Sequence, residues 1–363
     1  MRKNDDFTFD GIFFVLNLHS QYAQTLNSHP TTYMKLKHSF TFILLAASLA
    51  LTSCAVDKGE DTGEFYTKEL KSWVKVNYPD KVSETTSDGS YIIDFKQGDG
   101  AQPRDTDFVY VHYCSTDLEG NIISTNIKSL VEQIGSFSYS GYYGSRIWQL
   151  GKKAVAGPVE EALRKMKVGW QAWHALPASS FSVEYSFYDA FDSEDEQNIL
   201  FDIYLDDVAS DVYERQKNAL KEYSRRYSDY DSTSDIFYFK RLTKSEAASD
   251  SLKDEENLDV RYVGRLLDGT VFDTNIADTA KKYRIFDETS SYDALSMTYR
   301  QKLEDMIDNN STVNGFTIAV WKLRAKESGV TFFDSTLGYK ESGGGMSIPE
   351  YSPLCFYIYI EKD

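Results

Sequence analysis

Side chains able to do covalent chemistry are scarce in this chain. It holds five His and three Cys in 363 residues. His19, His29 and His38 fall in the N-terminal segment, leaving His112 and His174 for any folded part. No CxxC or HExxH spacing occurs, so a His-rich metal site cannot be assembled, and no cofactor is expected. Cys114 and Cys355 each sit inside an apolar, strand-like run, where small buried residues are found. Asp and Glu number 56, so a carboxylate pair of the glycosidase kind would arise by chance. One pattern stands out, the glycine run Gly343-Gly344-Gly345. A phosphate-cradling loop needs its glycines to open a helix. Here Ile348-Pro349 and Pro353 follow and block one. A bare turn and the rim of a pocket remain.

Composition narrows the partners. The net charge of -17 repels a phosphate backbone, so nucleic acid is not expected to bind. Aromatic residues make up 15% of the chain, with 26 Tyr and 22 Phe, which favours strands. The length suffices for two cores.

The elements that would position a site are legible as a repeat. "VHYCSTDLEGNIISTN" (111–126) lines up without gaps on "VRYVGRLLDGTVFDTN" (260–275), each a strand, an acid-Gly turn and a strand. Upstream, "SYIIDFKQ" and "IFYFKRL" repeat one further strand. Each copy is preceded by a helix pattern, with Tyr66, Leu70 and Trp73 in the first and Tyr213, Leu220 and Tyr227 in the second. In the first copy Gly157-Pro158 should open a helix that Gly169 ends, with Lys165 and Lys167 in its last turn. In the second, Asn314 is expected to cap a helix that Gly329 stops. The polar run 243–257 reads as a solvated loop. Strand, strand, helix, strand, strand describes an α+β plan, an antiparallel sheet folded over one short helix, present twice in tandem.

"MKLKHSFTFILLAASLALTSC" (34–54) has a basic start and a short apolar run, the pattern of a secretory signal. Its end, Leu51 to Cys54, resembles the lipobox of bacterial lipoproteins. That resemblance implies lipidation at Cys54 and a bacterial envelope location, lipid-anchored at the periplasmic face or cell surface. Acidic residues after Cys54 resemble the export signals of some Bacteroidetes lipoproteins. The expected organisation is a spurious extension (1–33), a signal peptide (34–53) and an acidic tether (54–63). A degenerate domain with its helix (64–208), a connecting helix (209–232) and a better preserved domain (233–363) follow.

With these pieces in order, "YVGRLLDGTVFD", "VNGF", "LGYKESGGG" and "IPEYSPLCFYI" resemble the FKBP-type peptidyl-prolyl isomerases. The resemblance covers most of 85–206 and 233–363. It implies two FKBP-like domains and a shallow apolar pocket for proline over the helix, with the glycine run at its rim. Carried onto this chain, it gives Tyr262, Phe272, Phe316, Tyr339, Ile348 and Phe356 as pocket walls and Asp273 as a polar wall residue. The Val313 amide and the Tyr339 hydroxyl would be donors to the peptide. Phe316 stands where the family usually has Trp. The long segment 292–312 before the helix could lid the pocket or fill it. In the first copy Tyr113 and Phe201 remain, while Ile123-Ser124, Val159 and Ser182 replace the Phe-Asp pair, the floor and the rim tyrosine. The implied function is an envelope prolyl isomerase and folding helper acting on proline-containing segments of exported or envelope proteins. The alternative is a non-catalytic peptide-binding lipoprotein on the same fold.

Overall fold

A computed structural model describes residues 62–361 apart from 84, 85, 87, 88, 97 and 177–196. Cys54, the signal segment, the tether and Ser182 lie outside the described residues. Among the described residues no helix is long and apolar enough to cross a membrane.

Helix α1 (Thr62–Asn77) leads into β1 (Tyr91–Lys96), β2 (Phe108–Thr116) and β3 (Ile122–Thr125). Short helix α2 (Lys128–Gln133), β4 (Arg146–Gln149), α3 (Gly157–Lys165), β5 (Trp170–Leu176) and β6 (Ile199–Ala209) complete the first unit. The second begins with α4 (Val212–Ser224), β7 (Ser232–Thr233), β8 (Phe237–Thr243), β9 (Asn257–Leu266) and β10 (Val271–Thr274). Then come α5 (Ala277–Lys282), β11 (Leu295–Thr298), α6 (Leu303–Asp308), α7 (Asn314–Trp321), β12 (Ser328–Phe333) and β13 (Leu354–Glu361).

The two antiparallel sheets share one topology. The first runs β1-β5-β6-β2-β3 with β4 on β2, and the second runs β8-β12-β13-β9-β10 with β11 on β9 and β7 added at the β8 edge. The repeated Thr-Asn step after β3 and β10 does the same work twice. Asn126 accepts from the Tyr113 amide at 2.8 Å, and Asn275 accepts from the Tyr262 amide at 2.9 Å. Thr125 and Thr274 donate to the Tyr113 and Tyr262 carbonyls at 2.8 and 2.6 Å. The acid-Gly turns close with Gly120 and Gly269 at φ 89° and 101°, a conformation glycine adopts without strain.

Each sheet carries a helix on both faces. On one face α3 buries Val159 and Leu163 against Val111, Phe201 and Ile203, and α7 buries Phe316 and Val320 against Phe333, Phe356 and Ile358. On the other, Leu70 and Val74 of α1 cover Tyr91 and Ile93, while Leu220 and Tyr223 of α4 cover Val330, Phe332 and Cys355. The helical stripes therefore form packing faces, although Tyr227 lies beyond the end of α4.

Several local expectations are corrected. Helix α3 ends at Met166, which turns extended, and Gly169 belongs to the turn before β5 with its amide on Leu205. Lys167 thus falls outside the helix. Val313, with extended dihedrals, is the N-cap of α7, and Asn314 is already helical. That helix ends at Trp321, and Gly329 sits inside β12. A Cβ there would come within 2.8 Å of the Phe239 ring, so its glycine serves sheet packing. In the run 243–257, Asp250 is buried, accepts from Ser245 at 2.5 Å and pairs with Lys326 at 3.7 Å. Segment 292–312 packs into the same core as the expected pocket walls, with Met297 and Met306 buried in one cluster with Phe316 and Phe356 and Tyr292 lining a cavity with Tyr262, Phe272 and Asp273. It contributes β11, paired with β9 as β4 pairs with β2, and then α6 beside α7. Both cysteines are buried and free, and burial pushes both thiols up.

Candidate active site

Strands β9, β10 and β13 and helix α7 bring aromatic rings together over the concave face. Register opposes Phe356 to Gly264 and Ile358 to Tyr262. Between Val271 and Asp273 the β9–β10 register shifts, so Phe272 occupies a bulge. A bulge bends its strand and re-aims the side chain. Gly264 makes room for it, because a Cβ there would meet Phe272 at 2.6 Å and Phe356 at 2.9 Å. The first copy has the same register shift at Ile123, with Ser115 opposite Phe201, so a smaller side chain faces a residue that has a Cβ.

Phe316 is buried and meets Tyr262 edge-on at 5.6 Å and Phe356 at 5.1 Å. Phe272 meets Phe356 edge-on at 5.6 Å. Such edge-to-face arrangements are favoured by the ring quadrupoles. Gly315 lets α7 approach closely, since a Cβ there would lie 2.4 Å from the Phe333 ring.

The polar groups stand at one side of this cluster. Tyr262 donates its hydroxyl to Asp273 Oδ2 at 2.6 Å. Burial first, then that hydrogen bond, pushes the Tyr262 phenol well above its ordinary range. Tyr339 is 41% exposed, and burial followed by the Asp273 charge raises its phenol too. Among the described residues, the Tyr339 hydroxyl and the Val313 amide have no intramolecular hydrogen-bond partner. Both remain available to a ligand.

The glycine run is a tight turn. Gly343 and Gly345 have φ of 64° and 62°, and Gly344 donates to the Ile348 carbonyl at 2.7 Å. A Cβ on Gly343 would meet that carbonyl oxygen at 2.5 Å. The turn buries Ile348 and leaves Met346 half exposed. The structure thus gathers Tyr262, Phe272, Phe316, Ile348 and Phe356 into one cluster, with Asp273, Tyr339 and Val313 at its edges.

Among the described residues, the corresponding place in the first copy is closed. Tyr113 is 3% exposed, stacks on Phe201 at 5.5 Å, and has its hydroxyl 3.0 Å from Ser124. Val159 is fully buried. Nearby, Ser145 lies 3.3 Å from His112 Nε2 but gives its proton to Asp206 at 2.7 Å. A serine nucleophile must instead give its proton to the imidazole, so this cluster is not a hydrolytic triad. Burial holds the His112 imidazole below its ordinary range.

Sequence reading missed the first unit's loop before β4, which reaches the second unit's rim. Tyr142 donates its amide to the Met346 carbonyl at 2.8 Å, and Arg146 pairs with Glu350 at 2.6 Å. Its aromatic content was visible, but no local pattern announces so distant a contact.

Comparison with known proteins agrees with this geometry in the second unit. Residues 249–361 match the family model of the FKBP-type peptidyl-prolyl cis-trans isomerases, and these residues form an FKBP-type domain. Among solved structures the chain is similar to the three FKBP domains of wheat FKBP73, at 15% identity and a TM-score of 0.27. That likeness covers 76% of this chain and 95% of that one. It is also similar to a peptidyl-prolyl cis-trans isomerase from Pseudomonas syringae pv. tomato str. DC3000, at 20% identity and a TM-score of 0.30, covering 43% of this chain and 96% of that one. No curated protein matches the chain.

Proposed function

We propose that the second domain is a peptidyl-prolyl cis-trans isomerase acting on proline-containing segments of exported or envelope proteins. In this reading a lipid on Cys54 holds the chain at the bacterial envelope. The observation that carries the catalytic part is the pairing of Tyr262 and Asp273 at 2.6 Å on the wall of the aromatic cluster. Rotation about an X-Pro bond faces a barrier of roughly 18 to 20 kcal/mol set by amide resonance. Lowering it requires no nucleophile. The rings exclude water around the proline, and fixed polar groups favour the twisted amide over the planar one. The Val313 amide and the Tyr339 hydroxyl would hold the peptide carbonyls.

The first domain serves, in this proposal, as a degenerate copy. Among the described residues, its Tyr113 and Phe201 rings stack on each other, and Ser124 puts a hydroxyl where the second domain has the Asp273 carboxylate. That closure is also what favours the second reading, a binding lipoprotein without catalysis.

A proline-limited refolding reaction on the full chain tests the isomerase. Wild type should accelerate it. Asp273→Leu, which keeps bulk and removes the charge, should abolish most of the rate, and Phe272→Ala should cost more than Tyr339→Phe. The latter removes one hydrogen bond, about 0.5 to 1.5 kcal/mol. Full activity in folded Asp273→Leu would refute the carboxylate's role, and an inactive wild type would favour the binding reading. For the anchor, Cys54→Ser should move the protein from the membrane pellet to the soluble fraction. Retention in the pellet would point to another attachment.

A further inference from the structure

Beside the aromatic cluster lies a cavity of about 350 Å³ that shares Tyr262, Phe272 and Asp273 with it. Its other walls include Ile285, Ser290, Ser291 and Tyr292 of the segment after α5 and, from the first domain, Ser140. The first domain's loop bridges the two rims of the second domain's site. On the glycine-turn side the Tyr142 amide holds the Met346 carbonyl at 2.8 Å. On the other side Arg284 donates to the Tyr139 hydroxyl at 2.7 Å and lies 5.1 Å over its ring. The loop is stiffened internally, with Phe137 stacked on Tyr143 at 5.2 Å and the Ser138 amide on the Tyr143 hydroxyl at 2.7 Å.

Among the residues lining this cavity the charged one is an acceptor, Asp273. Ser290 and Ser291 spend their protons on Asp287 and Asp293, at 3.3 and 2.6 Å. Thr274 and Asn275 spend theirs on the carbonyls of Tyr262 and Val260. Below, Arg261 is committed to the carbonyls of Asn275 and Tyr292 and to Glu361. The Tyr292 hydroxyl accepts from the Asp287 amide at 2.9 Å and keeps its proton, and Ser291 accepts from the Asp293 amide at 3.2 Å, so the acceptor that decides the site is the charged Asp273, whose Oδ2 takes the Tyr262 proton and whose Oδ1 is left over. We propose that this cavity is a specificity subsite, completed by Ser140 of the first domain, for a hydrogen-bond-donating side chain next to the substrate proline. Lysine and glutamine fit that description. Leucine would strand that acceptor, and glutamate would meet the Asp273 charge. The inference rests on the isomerase reading for the position of the proline. It gives the closed first domain a task in the second domain's site.

The test uses the full chain and proline peptides in which each flanking residue in turn is Lys, Gln, Leu or Glu, with kcat/KM and Kd both measured. At one flanking position Lys and Gln should exceed Leu by roughly tenfold, the worth of one good hydrogen bond to a charged acceptor, with Glu poorest. Ser140→Trp, which fills the cavity, should bring these ratios close to one. Ser140→Lys, which supplies its own donor, should shift the preference toward Glu. An unchanged ratio in both folded variants, or no preference in wild type, overturns the subsite. Peptides that bind with the expected ratios but are not isomerised leave the subsite standing and defeat the catalytic reading. Isomerisation without preference does the reverse. Absence of binding by every peptide overturns both.

Discussion

At the scale of single residues, the proposed site brings together two phenols and one carboxylate. Tyr262 and Tyr339 both have raised pKa values, Tyr262 by burial and then by its bond to Asp273, Tyr339 by burial and then by the same charge. A phenol whose pKa is raised keeps its proton to higher pH, so both stay neutral donors below about pH 10. Isomerase activity should accordingly be level from about pH 7 to 9. A fall within that window, in protein that remains folded, would mean that one phenol ionises early and is not held as described. Tyr262→Phe should lower kcat/KM by about fivefold, near 1 kcal/mol, because the freed carboxylate is exposed and water replaces its lost donor. These residues were legible in the sequence because "VFD" and "LGY" are short and ordered. The partnership of Tyr262 with Asp273 was not, since it needs the bulge at Phe272 to bring two strands into register.

At the scale of elements, the β2–β3 and β9–β10 hairpins were readable from alternation and the acid-Gly turns, both of which act locally. The ends of α7 were not. Asn314 and Gly329 look like a cap and a stop, yet the first is helical and the second lies in a strand against Phe239. Tertiary packing decided both positions. Strand β11 was hidden for a similar reason, because "LSMT" becomes a strand only by pairing with β9. Gly315 allows a test in which the sign is diagnostic. In an ordinary helix Gly→Ala stabilises by about 0.5 to 1 kcal/mol. Here the new methyl group would meet Phe333, which is fully buried and cannot retreat. Gly315→Ala should therefore destabilise the second domain by about 1 to 3 kcal/mol, as overpacking does. Urea unfolding measures it, and a stabilised variant would show that α7 is free to shift.

At the scale of the whole molecule, the two domains are joined by more than a linker. Phe108 meets Tyr351 edge-on at 5.1 Å, and the Arg146–Glu350 pair is largely buried between them. Helix α4 belongs to the second domain by its contacts. Gln216 donates to Ser335 at 3.0 Å and accepts from its amide at 2.7 Å, while Leu220 and Tyr223 cover Phe332 and Cys355. Two fragments separate this view from one in which α4 is only a connector. A fragment of residues 210–361 keeps the helix over its sheet face. One of 233–361 exposes Val330, Phe332 and Cys355, all fully buried in the full chain. Uncovering a large apolar side chain costs about 1.5 to 3 kcal/mol, so losing the cover of this face removes several kcal/mol, comparable to the whole stability of a small domain. Calorimetry should show cooperative unfolding for 210–361 and a much lower midpoint, or no transition, for 233–361. Equal midpoints would mean that α4 merely connects. In that case the interface with the first domain, through Tyr351 and Glu350, would have to supply the ordering of the rim that the helix does not.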